Sequence, residues 1–409
     1  MTTPRTLAAD VAAFGLSPLH APLLDAPLDE SAWGAFLAFV KEHRLVGLLA
    51  AAVEDGSFAL SDAQRAELTG VVDEAAAVRR DLETSLLELS HALSGAGITH
   101  RVLRGCAAAY LDYPQPVQRT FRRVELLVPV PAFDEAAALF SAMGCVRRFA
   151  EPRPGFDRRF SMGTSFFTPH GHELVLRRTF VSGPYGMLVT PADLFSRSTP
   201  LSVGGHELVA LGTEERFLHA CFYARLGRDQ SELVLLRDVA QMVLTHALDI
   251  DSIERLSTAW KAESVVAEAV DLAWSTLKVV DIVHLSAWAA AHRPERADRR
   301  RLRVYDHTYD YARNGAALSF SAVREIRPRR ATLRFLRAVV LPDRAYLEGR
   351  YRGHLQRWWR GTCALSAHVV HRDGRSRQAR GDVVVAGRAT PARDGAHEQA
   401  TGSVAAQHA

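Results

Sequence analysis

Arg104–Val128, RGCAAAYLDYPQPVQRTFRRVELLV, is the stretch on which the reading of this chain turns. It runs from a helical segment, CAAAYLDY, through a loop broken by Pro114 and Pro116, into a strand over 119–128 that ends in Leu126, Leu127 and Val128. Side chains two apart on a strand share a face, so Arg123 and Glu125 point to one side and Val124 and Leu126 to the other. Two acids at that spacing make a metal clamp, because hard divalent cations take carboxylate oxygens. Here the first of the two positions is an arginine.

Outward from this strand the pattern is α+β. Before it, ITHRVLRG at 98–105 alternates and reads as a short strand. After it, PAFDEAAALFSAMGC reads as a helix starting beyond Pro131, and FSMGTSFFTPHGHELVLRRTF as two strands joined at Pro169, His170 and Gly171. A small sheet with helices on its face follows from this order. Residues 29–95 read as helices throughout. Leu68, Val71, Val72, Leu82, Leu86, Leu89 and Leu93 form a stripe at three-to-four spacing, with Ser61 as N-cap and Gly95 and Gly97 as stops. Past the sheet, PLSVGGHELVAL reads as a hairpin, and TEERFLHACFYARLG and QSELVLLRDVAQMVL as amphipathic helices. Residues 251–292 read as two more helices. The expected division is a helical region at 1–95, an α/β core at 96–200, a helical region at 201–363 and a disordered polar, glycine-rich tail at 364–409.

With 409 residues, 48% of them hydrophobic, the chain can bury a sizeable core. Its apolar runs are all shorter than a membrane span and its N-terminus lacks a signal-peptide pattern, so a cytoplasmic protein with no membrane partner is expected. Cys106, Cys145, Cys221 and Cys363 are scattered and read as free buried thiols. The net charge of +4 is small, but residues 293–360 hold 18 arginines against 7 acids. That excess could attract phosphate, although solvated helix faces are its ordinary reading and nucleic acid is not an expected partner. Trp358 and Trp359, beside Arg357 and Arg360, read as the packed end of the folded part. His170 and His172 have no third ligand nearby and read as a solvated turn, and His43 as a core or helix-end residue.

Taken together, several groups of residues resemble the uncharacterised nucleotidyltransferase family often found beside bacterial natural-product and peptide-modification genes. They are His43, Arg44 and Leu45; Leu103, Arg104, Gly105 and Ala107; Tyr113, Pro114 and Pro116; Arg119; Arg123–Val128; Met143 and Gly144; and Glu173 with Leu174. LHACFYARLG, LLRDVAQMV and LPDRAYLEGRY extend the likeness, which covers about residues 30–360. The resemblance implies a nucleotidyltransferase-type sheet, within the DNA polymerase β-like superfamily, on which carboxylates hold Mg²⁺ around a nucleoside triphosphate. The family pattern runs DID where this chain has Arg123, Val124 and Glu125, and lysine where it has Arg104. Val175 and Leu176 replace the pattern's histidine and tryptophan after Glu173, and Tyr223 stands near a usual histidine.

Carried over residue by residue, the resemblance makes Glu125 and Glu173 the catalytic and metal-binding acids and Arg104, Gly105, Arg119 and Arg123 the nucleotide- or phosphate-binding group. Mg²⁺ and a nucleoside triphosphate are the implied cofactors. Replacing an acid by Arg123 reverses the sign of a strong interaction with any divalent ion, so a salt bridge from Arg123 to Glu125 or Glu173 is expected to fill the emptied site. The reading is therefore a pseudoenzyme: an NTP- or substrate-binding accessory protein of a biosynthetic cluster. The alternatives are a working Mg²⁺-dependent transferase acting on a small molecule or peptide, and a scaffold that binds biosynthetic partner proteins.

Overall fold

Seven strands form one mixed sheet: β1 (Arg101–Val102), β2 (Arg123–Leu127), β3 (Val146–Arg147), β4 (Gly163–Phe167), β5 (Glu173–Arg177), β6 (Ser198–Val203) and β7 (His206–Leu211). Their order is β3-β4-β5-β2-β1-β7-β6, which puts β2 in the middle. The computed structural model describes residues 3–17, 22–227, 232–280, 283–306, 318 and 320–350. Cys363, the tryptophan pair at 358 and 359 and the polar segment 364–409 lie outside the described residues. With the flanking helices the fold is α+β.

β2 runs parallel to β5, with Arg123 opposite Glu173, Glu125 opposite Val175 and Leu127 opposite Arg177. Strand alternation then separates two faces. Val124, Leu126, Leu174 and Leu176 enter a core shared with Leu82, Leu86, Leu89 and Leu93 of the helix Asp62–Gly95 and with Ala136 and Phe140 of Phe133–Ala142. Arg123, Glu125, Glu173 and Arg177 stand on the other face, towards a second core that joins the N-terminal helices to those beyond residue 213. The 34-residue helix Asp62–Gly95 touches both cores, through Leu68 at one end and Leu82 to Leu93 at the other. Ser61 and Gln64 close a capping box at its start, and Gly97, at φ +71°, follows its end.

Four local details differ from the sequence pattern, the first being that the strand expected over 119–128 is confined to Arg123–Leu127. The alternating run at 98–105 contributes only Arg101 and Val102 to the ladder, because the chain turns into the helix Arg104–Leu111 directly after Leu103 donates to the Glu125 carbonyl at 3.0 Å. The first helical stretch divides into Glu30–Glu42 and Val46–Glu54 at Arg44, whose φ of +59° ends the first helix. Residues 251–292 form three helices, counted from one starting at Ile250: Ile250–Ala259, Glu263–Leu277 and His284–Ala291. Cys106, Cys145 and Cys221 are buried free thiols. No helix among the described residues is long and apolar enough to cross a membrane.

The helix Val46–Glu54 lies so close to the loop before β2 that a Cβ on Gly47 would stand 2.0 Å from the Val117 carbonyl oxygen and 2.7 Å from the Gln118 Cα. Both neighbours are backbone and cannot rotate away. Gly47→Ala should therefore lower the unfolding midpoint despite alanine's higher helix propensity, since overpacking costs about 1–3 kcal/mol against a gain of about 0.5–1 kcal/mol. An unchanged or raised midpoint in thermal denaturation would refute this close approach.

Candidate active site

Glu125 is buried in the middle of the sheet, and both of its oxygens face guanidinium groups. Arg177 reaches Oε2 through Nε at 2.8 Å and Nη2 at 2.7 Å. Arg123 donates from Nε to Oε1 at 2.9 Å, and Arg104 Nε stands 4.0 Å from the same oxygen. Burial pushes the Glu125 carboxyl up, but Arg177, Arg123 and Arg104 outweigh it and hold it well below the usual carboxylate range. Glu125 in turn, as the largest influence, raises Arg123 above its ordinary value. The expected closure between Arg123 and the two acids is present: Arg123 also lies 3.6 Å from Glu173, and Arg148 is 3.3 Å from the other Glu173 oxygen.

The helix Thr213–Leu226 covers this face of the sheet. Its Tyr223 ring lies under the Arg104 guanidinium, 3.6 Å from centroid to Cζ, and its hydroxyl accepts a hydrogen bond from Arg177. One turn earlier, His219 stacks on Phe180 and packs edge-on against Tyr223. Burial lowers His219 well below its ordinary value, so the ring is neutral near pH 7. Its Nε2 is buried without a hydrogen-bond partner among the described residues, as is Nη1 of Arg104.

Gly105 allows the Arg104 turn to sit against the sheet, since a Cβ there would be 3.0 Å from the Phe121 Cβ. Arg119 is directed elsewhere. Fully buried, it donates from Nε and Nη2 to the two oxygens of Asp238, each at 2.7 Å, while Tyr113 donates to the same carboxylate at 2.8 Å. This pair ties the loop before β2 to the helix Leu233–Thr245. His43 and Arg44 secure the start of that helix: His43 Nδ1 accepts the Leu233 N–H at 3.1 Å, and Arg44 pairs with Glu232. Burial lowers Arg44, and the nearby Arg119, Arg104 and Arg123 lower it further. His170 and His172 stand at the β4–β5 turn, where Gly171 takes φ +82°.

The structure thus brings Arg104, Arg123, Glu125 and Glu173 together and holds Arg119 apart. Sequence reasoning missed Arg177 and His219 in the cluster. Their signals are present: Arg177 lies four residues from Glu173 on one strand, and His219 four from Tyr223 on one helix. Among the described residues no group of three or more His, Cys, Asp and Glu side chains could hold a metal ion.

No curated protein matches the chain. A structural search finds an antigenic nucleotidyltransferase-like protein from Paracoccidioides brasiliensis at 19% identity and a TM-score of 0.31, covering 48% of this chain and 92% of that one. The model of a family described as uncharacterised nucleotidyltransferase matches residues 29–278, more than half of the 409. The chain belongs to this uncharacterised nucleotidyltransferase family.

Proposed function

We propose that this chain is a non-transferring member of its family, an accessory protein that binds a nucleoside triphosphate or the pathway's substrate in a natural-product or peptide-modification cluster. One observation carries the reading: both oxygens of Glu125 are bonded to guanidinium groups, at 2.7–2.9 Å. Mg²⁺ at about 2.1 Å from a Glu125 oxygen would lie within about 5 Å of a guanidinium nitrogen. At an effective dielectric near 20 that repulsion is about 7 kcal/mol, and Glu173 is itself engaged by Arg123 and Arg148. The donor set does not fit a divalent ion. It fits an anion better, because Arg104 keeps a buried donor without a partner among the described residues and Arg123 is partly exposed beside it.

Isothermal titration with ATP, CTP, GTP and UTP, each with and without Mg²⁺, tests the proposal. Binding of at least one nucleotide with the same affinity in both conditions, and no pyrophosphate release, is the expected result. Mg²⁺-dependent binding followed by pyrophosphate release would overturn it, and so would the absence of any nucleotide binding together with any substrate binding.

A further inference from the structure

A second cationic site lies outside the Glu125 cluster. The segment Arg153–Phe160 and the helix Arg329–Val340 enclose a groove of about 310 Å³ whose lining includes Arg153, Arg159, Arg334 and Arg337 and no acidic residue. Phe156 and Phe160 supply an apolar wall. They also fix the groove's width, since both rings pack on Phe335 of the facing helix, at 5.8 and 5.3 Å between centroids. The volume is that of a small-molecule site.

The charge in this groove is poorly compensated. Arg153 pairs with Asp343 at 3.4 Å and donates to the Leu341 carbonyl at 2.6 Å; among the described residues Arg159 donates only to the Gly155 carbonyl, at 2.9 Å. Those carbonyl bonds hold two guanidinium groups in place before any ligand arrives. Arg334 and Arg337, one turn apart on the facing helix, are exposed and have no ion-pair or side-chain hydrogen-bond partner among the described residues. Like charges gathered around one opening repel, and an anion that spans them relieves the repulsion. Planar guanidinium forks on two sides match the oxygens of two linked phosphates, and the phenyl wall accommodates an apolar organic part.

We propose that this groove binds a small organic diphosphate, with the phosphates between Arg159 and the Arg334–Arg337 pair and the organic group against Phe156 and Phe160. The helix Arg329–Val340 lies beyond residues 29–278, which the family model matches, whereas Arg153–Phe160 lies within them. The site does not depend on the function proposed for the Glu125 cluster.

Isothermal titration of inorganic pyrophosphate, and separately of orthophosphate, into the full chain provides the test. Saturable 1:1 binding of pyrophosphate, tighter than orthophosphate, is expected. The double variant R334A/R337A should weaken it at least tenfold with no change in unfolding midpoint, and R334K/R337K, which keeps the charge but loses the forks, should weaken it several-fold. Absence of saturable binding, or equal affinity in wild type and both variants, overturns the proposal, the latter by moving the binding to another arginine cluster. Arginine-dependent binding of a polyglutamate peptide without binding of pyrophosphate overturns it as well.

Discussion

Glu125→Gln should destabilise the fold by about 3–5 kcal/mol, the usual consequence of removing one partner from a buried ion pair. The amide keeps the shape of the carboxylate but leaves the buried Arg177, together with Arg104 and Arg123, without the anion that offsets their desolvation. An open metal clamp predicts the opposite sign. There, a carboxylate in an ion-free site suffers like-charge repulsion from its neighbours, and neutralising it is neutral or stabilising. Denaturant unfolding of the two proteins distinguishes these cases by sign alone, and a variant as stable as wild type would remove Glu125 from its structural role.

The same cluster sets an acid dependence. Glu125 in the folded chain is held well below its ordinary value, because Arg177, Arg123 and Arg104 outweigh its burial. A carboxyl depressed by folding contributes stability that is complete above its unfolded pKa, about 4.3, and is lost as pH falls through the folded value. The stability gap between wild type and Glu125→Gln should therefore be full at neutral pH and shrink below about pH 4. A gap independent of pH would contradict the ion-pair account.

The faces of β2 are legible in the sequence because alternation is local: Val124 and Leu126 had to leave one side and Arg123 and Glu125 the other. The closure of the site is less so. Arg123 meets Glu125 within one strand, but Arg177 meets Glu125 only through the parallel pairing of β2 with β5, a register set by packing 50 residues away. Tyr223 stands out by its place near an expected histidine, whereas its contact with Arg104 depends on how the helix Thr213–Leu226 crosses the sheet. Arg119 is the least legible of these residues. Beside the strand it resembles a phosphate ligand, and its true partner is an acid in an apolar helix 119 residues later. The one local hint is Asp238 itself, a charge inside the run LLRDVAQMV whose neighbours Leu235, Leu236, Val239 and Ala240 are all buried.

That acid gives the second large effect. Asp238→Ala should cost about 3–5 kcal/mol, since Arg119 is fully buried and loses a two-pronged pair while Tyr113 loses its acceptor. Burial alone pulls the Arg119 guanidinium down, but Asp238 outweighs it and raises it above its ordinary value, so removing the acid takes away the main group that compensates this buried charge. Asp238→Asn, which retains an acceptor without the charge, should fall between wild type and alanine. Replacing both partners by apolar residues of similar size, as in R119M/D238L, removes the stranded charge and should recover most of the lost stability, with a cost remaining for the Tyr113 hydroxyl. The double-mutant cycle in denaturant unfolding measures the pair directly: a coupling energy near zero would mean that Arg119 draws its stabilisation from the Thr120 carbonyl, and that the loop before β2 is not anchored by the pair with Asp238.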